Sequence, residues 1–328
     1  MLMRIILLPS VVSTIPENQI GVYILTIKLL QELEKNGIIL VDDRNSIKTA
    51  LSEGISKWPE KFRIPAQKLL KQLWKKNRFV EVSLHEDLPI HCENKICQPC
   101  IKIAKEYLPL AVLARHVCNQ CANKHLLELP IVKIVDIEEY AIDDYFRSKL
   151  DDRGCILSNG EWKQDKFEQE ILIPLFRDAK HIKIYDRWIG RSILTPNGDK
   201  YKLTLEWIHK VFLEKSRLGL SGIFEIYTGC QSTADLSDTI TALRQLEIEI
   251  QKIHANFKII IKNENNKGQM PHDRYLITNQ VAIAIDRGFD LILDNRNTNY
   301  PRRLRDLRID YCNDPNKIEQ IVRNLPNV

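Results

Sequence analysis

Hydrophobic positions in residues 1–90 alternate between the two-residue period of strands and the period of helices. Apolar runs that predict strands lie at residues 5–12, 38–41 and 79–84. Between them, apolar side chains recur every three to four residues and predict a helix from a capping-box pattern at Thr14 and Glu17 to Gly37, and a later helix that Pro65 opens. This βαβα order predicts a small α/β layer with a partly parallel sheet.

The polar stretch at residues 151–160 predicts a domain boundary, with an α/β domain over residues 1–155 and a second domain over 161–328. In the second domain, helical patterns at residues 166–180, 203–213 and 235–255 alternate with strand patterns at 181–185, 222–228, 257–261, 275–278 and 281–285. The alternation predicts a second α/β domain, with helices over a mixed sheet of about five strands.

Composition narrows the class of protein. The 328 residues are 44% apolar and 28% charged, which is typical of a soluble globular protein. The net charge of +5 permits nucleic acid or other anionic partners without requiring them. The apolar segment at residues 1–12 is too short for a membrane span and has no small-residue cleavage site of a signal peptide. No other apolar run approaches the length of a membrane span. We therefore expect a cytoplasmic protein without a membrane span.

Five of the eight cysteines lie between residues 92 and 121. Cys97 and Cys100 form one C-x2-C pair, and Cys118 and Cys121 form another after seventeen intervening residues. Four thiolates at this spacing predict a closed, structural Zn²⁺ site in an insertion at residues 91–125, with an iron–sulfur cluster as the alternative. We interpret the flanking His91, Cys92, His116 and His125 as bystanders, although each is able to replace a ligand. Residues 101–115, between the pairs, have a helical pattern.

Acidic residues near the predicted strand ends of the first domain allow an alternative site. Carboxylates there would hold Mg²⁺ in a PIN-like or other acid-dependent nuclease domain, and the available residues are Asp42, Asp43, Asp136, Glu138 and Glu139. The first strand, however, has only Ser10 and Ser13 where an acid is needed. We therefore interpret the acids as helix caps and solvated loop residues.

The candidate chemistry of the second domain lies at residues 270–292. His272 and Arg274 are two apart before an alternating run, which would place both side chains on one face of a strand, with Asn279 at its end. An imidazole beside a guanidinium on a rigid strand is suited to hold a phosphate. A surface His and Arg on an ordinary hairpin is the alternative.

This segment resembles the H-x-K-x4-D motif of the phospholipase D superfamily, with His272, Arg274 and Asn279 at the three motif positions. It is even more similar to the variant in the phospholipase D-like C-terminal domain of MIT-domain proteins. The matching residues are His272, Asp273, Arg274, Thr278, Asn279, Asp286, Arg287, Gly288, Phe289 and Asp290. The resemblance implies a phospholipase D-like fold for residues 161–328 and says nothing about the first half.

For an enzyme, the resemblance implies that His272 attacks phosphorus, that Arg274 stabilises the charge on the phosphate oxygens, and that Asn279 orients the pair, without a metal. Catalysis in the superfamily needs two facing motifs, and this chain has one, so it would require a symmetric homodimer. The superfamily has Lys where this chain has Arg274, and that difference favours binding over catalysis. The variant domain of MIT-domain proteins is understood to bind acidic lipid without hydrolysing it.

An arginine-rich segment follows the motif. Arg302, Arg303 and Arg305 lie near Tyr300 and are candidates to follow a phosphate backbone. They alternate with acidic residues, so a salt-bridged surface is the alternative.

The composition, rich in Ile, Lys and Asn, fits an AT-rich prokaryote. Bacterial chains that combine such domains resemble components of antiviral defence or mobile-element systems, which implies partner proteins from such a system. We therefore expect a nucleic-acid-binding protein that acts as a dimeric, metal-independent nuclease. The alternatives are a non-catalytic module that binds nucleic acid or lipid phosphates, and a recruitment subunit without a ligand pocket.

Overall fold

The computed structural model describes residues 2–12, 19–84, 97–115, 132–150, 154–157, 164–196, 198–231, 235–264, 269–286, 307–312 and 314–328. The chain divides into two compact units, Leu2–Asp152 and Arg153–Val328. Each unit combines helices with one sheet, and the predicted α/β class is confirmed. Among the described helices, none has both the length and the apolar character that a membrane crossing requires.

The N-terminal unit has a five-stranded parallel sheet in the order β3-β2-β1-β4-β5. Its strands are β1 (Met3–Leu7), β2 (Gly37–Asp42), β3 (Phe79–Val82), β4 (Ala111–Ala114) and β5 (Lys133–Asp136). All six residues of β2 are buried, because a central parallel strand is covered on both faces. The strand order reverses between β1 and β4, so that their carboxyl ends form a topological switch point.

The helices of this unit are α1 (Ile20–Asn36), α2 (Ser46–Ser56), α3 (Glu60–Lys75), α4 (Cys97–Tyr107) and α5 (Asp144–Leu150). The prediction that Pro65 opens α3 is wrong, since the helix begins at Glu60 and Pro65 lies inside it. Trp74, in the last turn of α3, is 59% exposed. There the Lys48 ammonium lies 3.1 Å from its ring centroid.

The predicted helix at residues 101–115 is also wrong in its second half. Helix α4 ends at Tyr107, Leu108 adopts a left-handed φ of 42°, and Pro109 follows. The four residues Ala111–Ala114 then form the buried strand β4, hydrogen-bonded between β1 and β5. A run this short and apolar does not distinguish a buried strand from a helix by its period.

The C-terminal unit has a mixed seven-stranded sheet in the order β6-β12-β11-β10-β7-β8-β9. Its strands are β6 (Gly154–Leu157), β7 (His181–Tyr185), β8 (Ile223–Cys230), β9 (Phe257–Asn263), β10 (Arg274–Thr278), β11 (Ala282–Ile285) and β12 (Leu307–Tyr311). The prediction of about five strands is too low because β6 falls in the polar boundary segment and β12 carries exposed charges. On β12, Arg308 Nε and Asp310 Oδ2 lie 2.6 Å apart.

Helices pack on both faces of this sheet. They are α6 (Gln164–Phe167), which continues through a π turn at Glu168–Leu172 into α7 (Ile173–Phe176), and then α8 (Arg187–Ser192), α9 (Gly198–Lys215), α10 (Leu236–Gln251) and α11 (Pro315–Asn324). Consecutive residues of β10 enter different cores: Leu276 joins the cluster beneath α9 and α10, and Ile277 the cluster beneath α11. This alternation places Arg274 on the same face as Leu276.

Candidate functional site

The carboxyl ends of β7, β8 and β9 lie along one edge of the mixed sheet. These three strands are parallel, whereas β10 runs antiparallel to β7 with Tyr275 opposite Tyr185. The first residue of β10, Arg274, therefore lies beside Asp186, the residue that follows β7. Ligands of open α/β sheets bind at such an edge.

His272 and Arg274 both reach the indole of Trp188 at this edge. The imidazole and indole centroids are 6.1 Å apart, edge to face, and the Arg274 guanidinium carbon lies 6.0 Å from the indole centroid. Arg274 Nε lies 3.8 Å from Asp186 Oδ1, and Nη1 donates to the Asp286 carbonyl at 3.3 Å. His272, however, lies in a bend before β10, so the predicted placement on one strand face is wrong for it.

Asn279 lies at the opposite end of β10. Its Oδ1 accepts hydrogen bonds from the backbone N–H groups of Lys180 at 2.7 Å and His181 at 3.3 Å. The five residues of β10 place it about 17 Å from Arg274. Asn279 therefore holds the start of β7, a position that does not suit the role of orienting His272 and Arg274.

Two arginines of α8 join the site, and the sequence interpretation had missed them. Arg187 and Arg191 are four apart, which places them on the same side of a helix. Their guanidinium carbons lie 5.8 and 5.3 Å from the Trp188 ring centroid. We call Arg187, Arg191, Arg274 and Trp188 the arginine cluster. Its signal in the sequence was Asp-Arg-Trp-x-x-Arg directly after the predicted strand at residues 181–185.

Helix α8 is anchored on the sheet. The buried Asp186 accepts the Trp188 backbone N–H at 2.8 Å and so caps the helix. The Gly190 N–H donates to Thr228 Oγ1 at 2.7 Å, and a Cβ at Gly190 would lie 2.6 Å from the Gly229 carbonyl oxygen. Only glycine permits this approach of α8 to β8.

The buried Glu264, which follows β9, ties the arginines to the chain that leads to His272. Its Oε2 accepts from Arg191 Nε at 3.0 Å and Nη2 at 2.8 Å, and its Oε1 lies 3.3 Å from Arg187 Nε. Oε1 also accepts the Met270 backbone N–H at 2.7 Å. A single carboxylate therefore fixes both α8 and the segment before His272.

Positive charge exceeds negative charge among these groups, since three guanidinium groups accompany the two carboxylates of Asp186 and Glu264. Burial lowers the pKa of Arg187; Glu264 opposes this change, and Arg191 and Arg274 add to it. Three buried N–H groups of the arginine cluster make no hydrogen bond with the described residues: Arg187 Nε, Trp188 Nε1 and Arg274 Nε. The cluster thus suits an anion with several acceptor oxygens.

Half of the predicted zinc ligands lie in the described residues. Cys97 and Cys100 are buried in the first turn of α4, and their spacing places both sulfur atoms on one side of the helix. Burial, and then Cys97 and Asp42, raise the pKa of the Cys100 thiol. The donor chemistry of this pair fits Zn²⁺, which binds thiolates.

Cys118 and Cys121 lie outside the described residues, and within those residues no group of three or more His, Cys, Asp or Glu side chains is placed to hold a metal. The zinc site stays a prediction. Arg302, Arg303 and Arg305 also lie outside the described residues.

The acids of the N-terminal unit bind backbone groups. Asp42 Oδ2 and Oδ1 accept from the Ser46 and Ile47 N–H groups, each at 2.9 Å, and Asp136 Oδ1 accepts from the Glu138 N–H at 2.8 Å. These contacts confirm the interpretation of Asp42 as a helix cap and show that Asp136 stabilises its own loop.

Two further histidines are structural. His254 Nε2 donates to the Gly222 carbonyl at 2.9 Å, so its Nδ1 accepts from His209 Nε2 at 2.9 Å. Burial, with a smaller contribution from His254, lowers the pKa of His209 to about 4. Both side chains are buried and belong to the core.

A scan against protein-family models matches no family, and a search of curated proteins finds no match. The phospholipase D-like assignment therefore depends on the motif residues themselves and stays a prediction.

Proposed function

We propose that the C-terminal unit is phospholipase D-like and binds nucleic-acid phosphates at His272 and Arg274. The observation that supports this most directly is the meeting of these two residues at Trp188, on the carboxyl edge of β7–β9. Arg187 and Arg191 reach the same indole, and three N–H groups of the arginine cluster make no hydrogen bond with the described residues. Such a site favours phosphate oxygens over neutral ligands. The small positive net charge of the chain favours nucleic acid as the source of the phosphate.

As an enzyme, the protein would cleave a phosphodiester in two steps. The imidazole of His272 would attack phosphorus and displace one ester oxygen, which takes a proton from the partner's histidine in a homodimer. Water, deprotonated by that same histidine, would then release the phosphate from His272. Arg274 would stabilise the charge on the non-bridging oxygens in both steps.

A specific observation favours a second candidate, a module that binds without cleaving. Arg274 is held by Asp186 and by the Asp286 carbonyl, so its charge is fixed in place. A fixed, planar guanidinium suits bidentate phosphate binding. In this alternative, the structural zinc site at Cys97, Cys100, Cys118 and Cys121 would stabilise the N-terminal unit for recruitment of partner proteins. The cytoplasmic location and the role in defence belong to the same proposal.

Cleavage of labelled single-stranded DNA and RNA in EDTA tests the enzyme. We expect cleavage by the intact chain and none by His272→Ala. His181→Ala is the matched control, because His181 is also partly exposed but pairs with Glu225 at the other end of β7. Binding of the oligonucleotide without cleavage would favour the binding module, and absence of both would overturn the proposal.

Zinc binding is tested by the metal content of the purified chain. We expect about one Zn²⁺ per chain, with loss of the metal in Cys97→Ser. Cys230→Ser is the control, because Cys230 is a buried cysteine at the end of β8 in the other unit. A chain without zinc would contradict the prediction.

A further inference from the structure

We infer that Arg187 and Arg191 form a second anion-binding arm of the same pocket, and that Glu264 positions this arm for a nucleic-acid phosphate. The inference rests on the proposed function, since it assigns residues to the pocket that His272 and Arg274 begin. Nothing in the resemblance indicates these residues, because Arg187 and Arg191 lie about eighty residues before the motif.

The charges around Glu264 do not balance. Glu264 is one carboxylate, and it serves two guanidinium groups. Arg187 is only 7% exposed, yet its Nε lacks a hydrogen bond of good geometry among the described residues. An incompletely paired buried charge is costly, and an added anion would lower that cost. A purely structural ion pair would need only one arginine.

The three arginines meet at one aromatic ring. The guanidinium carbons of Arg187, Arg191 and Arg274 all lie between 5.3 and 6.0 Å from one indole centroid. Attraction to the ring offsets part of the repulsion among the three cations. Arg191 and Arg274 also both lower the pKa of Arg187, as expected for cations in one pocket.

The arm is held rigidly. The close approach of Gly190 to β8 fixes α8, and Glu264 fixes Arg191 through two N–H groups and the His272 segment through Met270. The arm is therefore held in place before a ligand binds, which reduces the entropy lost on binding. Glu264 acts through the arginines, and we call it a positioning residue.

Salt-dependent binding of a fluorescently labelled single-stranded oligonucleotide to the full chain tests the arm. We expect Arg191→Gln and Arg187→Gln each to weaken binding about tenfold and to reduce the slope of log K against log salt by about 0.7 for each lost phosphate contact. Arg244→Gln is the matched control, since Arg244 also pairs with a buried glutamate, Glu247, but on α10. A structural role alone would leave the salt slope unchanged.

Two further variants keep the test decisive if Arg187→Gln does not fold. Arg191→Lys retains the charge and should restore the salt slope, and Arg187→Gln with Glu264→Gln removes both partners of the buried pair together. In a double-mutant cycle, Glu264→Gln should have much less effect on binding when Arg191 is already Gln.

The outcomes separate the two proposals. If Arg274→Gln and His272→Ala weaken binding while the α8 variants behave like Arg244→Gln, the arm is wrong and the proposed function stands. If the intact chain binds no oligonucleotide, the proposed function fails. Binding of anionic phospholipid vesicles in place of oligonucleotide, with sensitivity to Arg191→Gln, would overturn nucleic acid as the ligand.

Discussion

In the N-terminal unit, Asp42 and Asp136 lie at the carboxyl ends of β2 and β5 and bind backbone N–H groups. In the C-terminal unit, Asp186 and Glu264 lie at the carboxyl ends of β7 and β9 and bind arginines as well as backbone N–H groups. In the N-terminal unit, Arg115 follows β4, and its Nη2 donates to the Gln19 side chain while Nε lies 3.8 Å from Glu138. In the C-terminal unit, three arginines accompany two buried carboxylates. Both edges belong to α/β sheets, and Arg115 Nε, like Arg274 Nε, makes no hydrogen bond with the described residues. The two edges differ in charge, because three guanidinium groups meet around two buried carboxylates only at the described part of the C-terminal edge.

Position in the fold does not by itself make a binding site. The N-terminal sheet has the switch point where α/β proteins often bind ligands, yet Asp42 and Asp136 at this edge hold a helix end and a loop. Charge left over after those bonds are made is the better indicator, and it indicates the C-terminal unit.

Acid should lower the stability of the C-terminal unit much more than that of the N-terminal unit. The folded His209 has a pKa of about 4, below the ordinary value of 6.5, so the unfolded chain binds a proton that the folded chain does not. Its contribution to stability is complete above pH 6.5 and is lost as the pH falls towards 4, by on the order of 3 kcal/mol. Hydrogen exchange at pH 7.5 and 5, which follows each unit separately, should show this loss in the C-terminal unit.

His209→Gln is the control for the acid experiment, because glutamine does not titrate and retains a donor for His254. An equally steep pH dependence in this variant would contradict the assignment to His209.

Gly229→Ala should damage the edge of the C-terminal unit. The added Cβ would overlap the carboxylate of Glu264, and we expect unfolding to become easier by about 1–3 kcal/mol, with weaker oligonucleotide binding. Gly21→Ala in α1 is the comparison, since nothing lies within 4 Å of its added Cβ. It should stabilise the N-terminal unit by about 0.5–1 kcal/mol, as a helical alanine does. Urea denaturation measures both, and equal effects would contradict the close packing around Glu264.

Asp42→Ala should destabilise the N-terminal unit by about 0.5–2 kcal/mol because two N–H groups of α2 lose their acceptor. Asp42→Asn keeps one side-chain oxygen as an acceptor and should lose less. Neither variant should change oligonucleotide affinity, measured by fluorescence anisotropy. A change in affinity with unchanged stability would make the N-terminal edge a binding site.

Arg274→Gln should lower oligonucleotide affinity and leave stability nearly unchanged. We expect a loss of affinity of about tenfold, or about 1.4 kcal/mol, with stability changed by less than about 0.5 kcal/mol, because Arg274 is the first residue of β10 and is partly exposed. Anisotropy and thermal unfolding of the same samples measure the two effects. Lost stability with unchanged affinity would make Arg274 a structural residue.

Strands β7 and β10 were predicted from the pattern of apolar residues. Their apolar periods predicted His181–Tyr185 and most of Arg274–Thr278 because each strand buries a regular face. The same pattern failed for β4, which is buried on both sides, and for β12, whose charged residues hide its apolar ones. A four-residue run that is apolar throughout, such as β4, fits a strand or a helix equally well, and exposed charges obscure the apolar positions of β12.

The candidate site was also predicted only in part. The sequence alone determined the α/β class, the candidate cysteine pairs and the local motif that holds His272 near Arg274, because these depend on neighbouring residues. The fold had to be known to see that Asn279 lies at the opposite edge, that Arg187 and Arg191 reach Trp188, and that both arginines meet Glu264. Strand direction and register bring residues from distant parts of the chain to one edge, and no local spacing encodes that meeting.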